Sequence, residues 1–300
     1  MLDVIIVGGG PAGISAALVL GRCRRKVLVC DAGQPRNAVA KAMHGFISRD
    51  GTPPAEFLQA SREQLNAYPD VNWREGWVVS IKRGEGHFTV RLKDGVEFTS
   101  RIVLLATGIA DELPEIPGFH QFWGHSVHLC PYCDGWEHRD EPIAIYGRGL
   151  AGCELALELL GWSSDIILCT DGPSELSEEE AARLKKRHIL VVETPIQMLE
   201  GTERQLERVR FTDGKMIERR SLFFSSGQDV RCELGRELGC VFGEDGVTIQ
   251  STRNAATNVP GLYAAGNATC GLQLVIIAAA EGTQAAFSIN EALLDADVMY

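Results

Sequence analysis

The sequence predicts an α/β protein of two doubly wound modules, the second inserted in the first. Three observations predict it. The apolar run Val4-Ile5-Ile6-Val7 reads as a buried parallel strand and leads into Gly8-Gly9-Gly10-Pro11-Ala12-Gly13 and an alanine-rich helix. The same order restarts at Pro142–Tyr146, with a second turn, Gly147-Arg148-Gly149-Leu150-Ala151-Gly152. Between and after these openings, Pro114–Gly118 and Gly243–Gly246 read as linkers. The expected division is 1–113 with 246–300 for the first module and 118–243 for the second, with linkers at 114–118 and 243–246.

The elements follow in order. A helix runs from Ile14 to Gly21, and a second strand, Lys26 to Cys30, ends at Asp31. Residues Trp77 to Thr99 alternate apolar and polar around a Lys93-Asp94-Gly95 turn, as in a small antiparallel sheet. Ile102 to Ala106 is a buried strand closed by Thr107-Gly108. In the second module, Cys153 to Leu160 is helical and Asp165 to Cys169 is a strand. Ser177 with Glu180 forms a capping box for a helix reaching Arg187. Val209 to Phe224 is β-rich, and a last helix spans Gln273 to Leu294.

The chain has 300 residues, and its 29 basic and 40 acidic side chains leave a charge of −11. That balance argues against nucleic acid and against an anionic membrane surface. No basic leader precedes the first strand, and the most apolar tract, Leu272 to Ala280, is too short to span a bilayer. The expectation is a cytoplasmic, soluble protein. Nine cysteines, an odd and sparse set, fit mostly reduced thiols.

Gly8, Gly10 and Gly13 fit the dinucleotide fingerprint, with backbone N–H groups and a helix N-terminus for the pyrophosphate. Asp31 stands where an acid accepts a hydrogen bond from a ribose hydroxyl. Gly147, Gly149 and Gly152 repeat the pattern, with Asp171 as the acid. Thr170 to Glu175 contains no base, which favours a free 2′-hydroxyl over a 2′-phosphate. A purely structural glycine turn is the alternative at either place.

Cys130-Pro131-Tyr132-Cys133 has the spacing of a reversible disulfide, and Asp134 beside it suits acid–base work in thiol exchange. Two alternatives stand: a zinc site of His125, His128, Cys130 and Cys133, or a pair of packed cysteines. Cys30, Cys153 and Cys169 read as small buried hydrophobes, while Cys232 and Cys240 are spaced so that they could pair. No resident metal is expected.

Two dinucleotide turns with a Cys-x-x-Cys between them resemble the low-molecular-weight thioredoxin reductases and related FAD-dependent disulfide oxidoreductases. Ala106-Thr107-Gly108, Cys130–Gly135, Gly261–Asn267 with Gly266, Gln273 and Ala278–Gly282 carry the likeness, which covers essentially the whole chain. The resemblance implies a homodimer that binds FAD through Gly8, Gly10, Pro11, Ala12, Gly13, Asp31, Thr107, Gly108, Gly266, Asn267 and Gln273. It implies that Cys133 faces the flavin, Cys130 attacks the substrate disulfide and Asp134 is the acid. It also implies modules that rotate about the two linkers, and a thioredoxin-like protein or small disulfide as substrate.

Three features depart from that family. The basic motif for the NADPH 2′-phosphate is missing at Thr170 to Glu175, leaving NADPH, NADH or no nicotinamide open. Asn267 replaces an aspartate. Pro131-Tyr132 and Trp136-Glu137 are closer to reductase-like dithiol oxidases. The alternatives are therefore a dithiol oxidase using oxygen, a reductase fed by a protein such as ferredoxin, and a non-catalytic flavin- or zinc-binding module. Tyr300 is a terminal aromatic that could stack on the flavin.

Overall fold

A computed structural model describes residues 1–225, 228–230, 233–269 and 271–298. Cys232 and Tyr300 lie outside them, so the pairing with Cys240 and the flavin stack have no structural description. The chain divides into two compact units: Met1–Ala38, Pro54–Ala110 and Gln228–Tyr300 in the first, Val39–Pro53 and Asp111–Gly227 in the second.

In the first unit a seven-stranded sheet has a parallel core, in the order Val71–Glu75, Val27–Asp31, Leu2–Val7, Glu97–Leu105, Leu262–Ala264. Val4, Ile5 and Ile6 are fully buried, as a strand covered on both faces requires. On one face Val4 and Ile6 pack against the helices Pro11–Arg22 and Val275–Val298. Those helices approach closely at Gly282, where a Cβ would overlap the Ala12 carbonyl. On the other face Ile5 and Val7 pack with the antiparallel strands Val78–Arg83 and Phe88–Leu92, and with Leu234 and Ile249.

The second unit repeats this plan. Five parallel strands lie in the order Leu190–Val192, Ile166–Cys169, Ile143–Tyr146, Ser221–Phe224, Val127–His128. The helices Gly149–Glu158 and Glu178–Lys186 cover one face through Leu155, Ala156 and Leu184. An antiparallel meander, Ile196–Thr202, Gln205–Phe211 and Met216–Glu218, covers the other. The internal repeat in the sequence is thus a repeat of architecture, and the α/β class with two Rossmann-like sheets is as expected.

Several details differ. Glu97–Leu105 is one continuous strand, pairing antiparallel with Phe88–Leu92 at its start and parallel with Leu2–Val7 along most of its length. The helix Pro54–Leu65 and the strand Val71–Glu75 had no counterpart in the sequence reading. Gly243–Gly246, expected as a linker, lies inside the first unit. It is a bonded turn: the Asp245 carboxylate accepts the Val247 and Thr248 N–H groups at 2.9 and 3.0 Å and the Thr248 hydroxyl at 2.7 Å. Leu234, ahead of that turn, already belongs to the first unit's core. Among the described residues no helix is long and apolar enough to cross a membrane.

Candidate redox site

Cys130 and Cys133 are joined in a disulfide, with Cα atoms 5.2 Å apart. They follow the edge strand Val127–His128, so the pair stands at the carboxyl end of a parallel sheet, where α/β folds place their chemistry. Cys130 caps the single helical turn Pro131–Asp134, whose first residue has no N–H to satisfy. The Cys133 and Asp134 N–H groups donate to the Cys130 carbonyl at 3.1 and 3.2 Å. Tyr132 within the turn and Trp136 just after it are 67% and 64% exposed. The Arg139 guanidinium lies over the Trp136 ring at 4.3 Å.

Behind the turn lies a row of titratable groups. Asp134 Oδ1 is 3.3 Å from His128 Nδ1. His128 Nε2 is 2.9 Å from His138 Nε2, and His138 Nδ1 is 3.1 Å from Glu141 Oε2. Burial and the neighbouring His128 push the His138 pKa below its ordinary value. Both ring nitrogens of His128 are engaged, and both cysteine sulfurs are in the disulfide, so this arrangement does not offer the four zinc ligands considered above. Among the described residues no group of three His, Cys, Asp or Glu side chains is placed to hold a metal ion.

In the first unit, Gly8 (φ 110°) turns the chain so that Gly13 packs on it; a Cβ on Gly13 would overlap the Gly8 carbonyl. A Cβ on Gly10 would meet nothing within 4 Å, because it would project into an open cradle. Gly10 caps the Pro11–Arg22 helix with no side-chain bond and no acid in the first turn, so the N-terminal donors are left for an anion. Asp31 Oδ1 accepts the Gly9 N–H at 3.0 Å. Thr107 and Gly108 follow directly on Ala106, whose carbonyl a Cβ on Gly8 would strike. Gln273 accepts from the Arg36 guanidinium at 2.6 Å. Gly266 and the half-buried Asn267 begin a short helical turn after the strand Leu262–Ala264.

In the second unit, Gly147 and Gly152 pack together as the first turn does. Gly149 lies in the left-handed region. The surroundings differ. Asp171 spends its Oδ1 on the Ile196 N–H at 2.6 Å. The Thr170–Glu175 loop, which has no base of its own, receives Arg148 from the glycine turn. The Arg148 guanidinium donates to the Thr170 carbonyl at 2.7 Å and to the Asp171 carbonyl, and lies 3.7 Å from the Glu175 carboxylate.

The family model for pyridine nucleotide-disulphide oxidoreductases matches residues 2–282. This chain belongs to that family. A thioredoxin reductase of Claviceps purpurea, tcpT, is 30% identical over 283 residues, covering 89% of this chain and 86% of that protein. The crystal structure of HlmI matches with a TM-score of 0.95 at 37% identity over 99% of this chain and 94% of that one. An oxidoreductase of Agrobacterium tumefaciens matches with a TM-score of 0.91 at 34% identity over 98% of each chain.

As a member of the pyridine nucleotide-disulphide oxidoreductases, the chain is an FAD-dependent disulfide oxidoreductase of the thioredoxin reductase-like kind. The first unit fits FAD: the open cradle at Gly10, the uncapped helix and the acid Asp31 are the donor and acceptor set that a flavin dinucleotide needs. One residue that organises this unit was absent from the sequence's list of binding residues. Glu281 Oε2 accepts the Gly266 N–H at 2.8 Å and the Thr269 hydroxyl at 3.1 Å. Arg148, His138 and Glu141 were likewise missed. Arg148 and His138 meet partners on other elements, Thr170 and His128, whereas Glu141 pairs with His138 three residues before it.

Proposed function

We propose that this flavoenzyme passes two electrons between FAD and the Cys130–Cys133 disulfide, and on to a thioredoxin-like protein or a small disulfide. The observation that carries the reading is the disulfide itself, closed across one helical turn at a sheet's carboxyl end. FAD, when bound, supplies the two-electron store. In the reduced protein the Cys130 thiolate attacks one substrate sulfur and forms a mixed disulfide. Cys133 then attacks the Cys130 sulfur, releasing the second substrate thiolate and restoring the internal disulfide. Asp134 gives and takes the protons. The first unit holds FAD through Gly8, Gly10, Pro11, Ala12, Gly13, Asp31, Thr107, Gly108, Gly266, Asn267 and Gln273. The second unit is the pyridine-nucleotide module, with Gly147, Gly149, Gly152 and Asp171 as its nucleotide turn.

Two single variants test the assignment. Cys133→Ser should trap a covalent adduct with thioredoxin or a small disulfide at Cys130, seen by mass spectrometry. Adduct formation by Cys130→Ser at Cys133 instead would reverse the roles, and adducts with neither would refute the exchange.

A second reading runs the pair in reverse: a small dithiol is oxidised and oxygen takes the electrons. The acidic Thr170–Glu175 loop with its engaged Arg148 favours it, because an NADPH phosphate finds no uncommitted base there. Peroxide formed from a dithiol in air without nicotinamide supports that direction, and inertness to dithiols removes it. A homodimer in the cytoplasm completes the proposal, and light scattering of the purified protein measures its mass in solution.

A further inference from the structure

We propose that Glu141, His138, His128 and Asp134 form a proton relay between solvent and the Cys130–Cys133 disulfide. The proposal rests on the reading of that disulfide as the redox centre. Three contacts join the four groups, at 3.1 Å, 2.9 Å and 3.3 Å. The middle contact is nitrogen to nitrogen, so it is favourable only with one proton between the rings. Each imidazole–carboxylate contact also needs one. Three contacts therefore need three protons, and two neutral imidazoles bring two.

Two placements of the third proton leave both imidazoles neutral, and a third makes one ring an imidazolium that donates from both nitrogens. With Asp134 protonated, Asp134 donates to His128, His128 to His138, and His138 to Glu141. With Glu141 protonated, every bond runs the other way. One hop at each contact converts one state into the other and moves one net proton between Glu141 and Asp134. The middle is dry: the His128 and His138 side chains are 5% and 9% exposed, against 41% for Glu141. The Phe223 ring covers both, with centroids 5.3 and 6.2 Å away. Burial and the neighbouring His128 disfavour a cationic His138, while the Glu141 and Asp134 carboxylates act the other way. Next to the row, His125 interacts electrostatically with His128 and Lys41 and lies against the Arg204 guanidinium.

The chemistry served is the protonation of a leaving sulfur. When an external dithiol opens the bond, its thiolate attacks one cysteine sulfur. The S–S electron pair leaves on the other sulfur, which takes a proton from Asp134. Glu141 restores that proton along the row and is itself recharged from water. Closure of the dithiol into its own disulfide then frees the second cysteine sulfur, which takes a second proton. One dithiol is oxidised, one protein disulfide is reduced, and the two protons the dithiol gives up match the two gained.

The test uses the FAD-loaded protein, opened with dithiothreitol at several pH values in light and heavy water. Freed Cys130 and Cys133 are trapped with a maleimide and counted by mass. General acid catalysis contributes about 10²–10⁴-fold, and Asp134 remains in place, so Glu141→Gln and His138→Gln should each slow opening by about 10-fold at neutral pH. They should also shift the pH profile and remove the multi-proton solvent isotope effect, and added imidazole should restore part of the rate in His138→Gln. Wild-type rate, profile and isotope effect in both folded variants would overturn the relay. If dithiothreitol fails to open the wild-type disulfide, the redox reading falls and takes the relay with it.

Discussion

The Glu281 carboxylate accepts the Gly266 N–H at 2.8 Å and so ties the Val275–Val298 helix to the turn that begins at Gly266. The same oxygen takes the Thr269 hydroxyl. Glu281→Ala leaves a half-buried N–H with no acceptor, a loss of about 1–3 kcal/mol. Glu281→Gln keeps an acceptor and should lose less. Thermal unfolding followed by flavin fluorescence checks both, and FAD should be released earlier in the alanine variant than in the glutamine one. Equal midpoints for the two would remove the carboxylate's role.

Gly10 and Gly13 differ in what a methyl group would meet, so their alanine variants should separate cofactor binding from folding. Gly13→Ala strikes the Gly8 carbonyl and should destabilise the protein by about 1–3 kcal/mol, with or without FAD. Gly10→Ala projects into open space from an extended conformation, and the apoprotein should change by less than about 1 kcal/mol. Its FAD affinity should nonetheless fall, because the methyl group occupies the cradle. Denaturant titration of the apoprotein and equilibrium FAD binding decide the matter. Undiminished FAD affinity in Gly10→Ala would move the pyrophosphate elsewhere.

What was legible in the sequence was local. A strand, a glycine turn and a helix within twenty-odd residues announce themselves, and the capping box at Ser177 is present with both of its bonds, at 3.3 and 2.8 Å. The helix Pro54–Leu65 was not legible because only Pro54 and Leu65 are buried along it, too few for an apolar stripe. Glu97–Leu105 looked broken because Thr99, Ser100 and Arg101 are polar. Ser100 is fully buried all the same, its hydroxyl donating to the Ile102 carbonyl at 2.8 Å. The groups around the disulfide were hidden for a different reason. His128 and His138 meet only because a sheet edge and a loop converge, and no spacing rule encodes that.

The thiols of Cys30, Cys153 and Cys169 should be inert. Burial pushes the pKa of Cys30 and of Cys169 up to about 12, and raises those of Cys153 and Cys240. At pH 8 a thiol near 12 is thiolate in about one molecule in ten thousand, and the thiolate is the nucleophile. Iodoacetamide on the oxidised native protein should therefore label exposed Cys23 and leave Cys30, Cys153 and Cys169 unmodified. Prior reduction should add Cys130 and Cys133. Peptide mass spectrometry reads each site, and rapid labelling of Cys30 or Cys169 would contradict their burial.

Acid should weaken the protein through His138. Its folded pKa lies below the ordinary 6.5, with burial as the leading cause. Above 6.5 the ring is neutral in both states, and its contribution is complete. As pH falls below that value the unfolded chain binds the proton first, so stability drops until the folded ring also titrates. Urea unfolding across this window should show a steeper loss in wild type than in His138→Gln. Parallel curves would assign the loss to other groups.

Any nicotinamide preference should turn on Arg148. A 2′-phosphate needs a free base, and this guanidinium is already held by the Thr170 and Asp171 carbonyls beside the Glu175 carboxylate. A dianion brought to that loop meets two acids and a base already committed to other partners. Where a nicotinamide serves as donor, NADH should therefore bleach the flavin faster than NADPH in an anaerobic titration. Glu175→Gln should narrow the gap by removing one repelling charge and loosening Arg148. Faster bleaching by NADPH would mean that Arg148 leaves its carbonyl partners for the phosphate, and Arg148→Ala would then abolish the preference. No bleaching by either would leave the dithiol or another protein as the source of electrons.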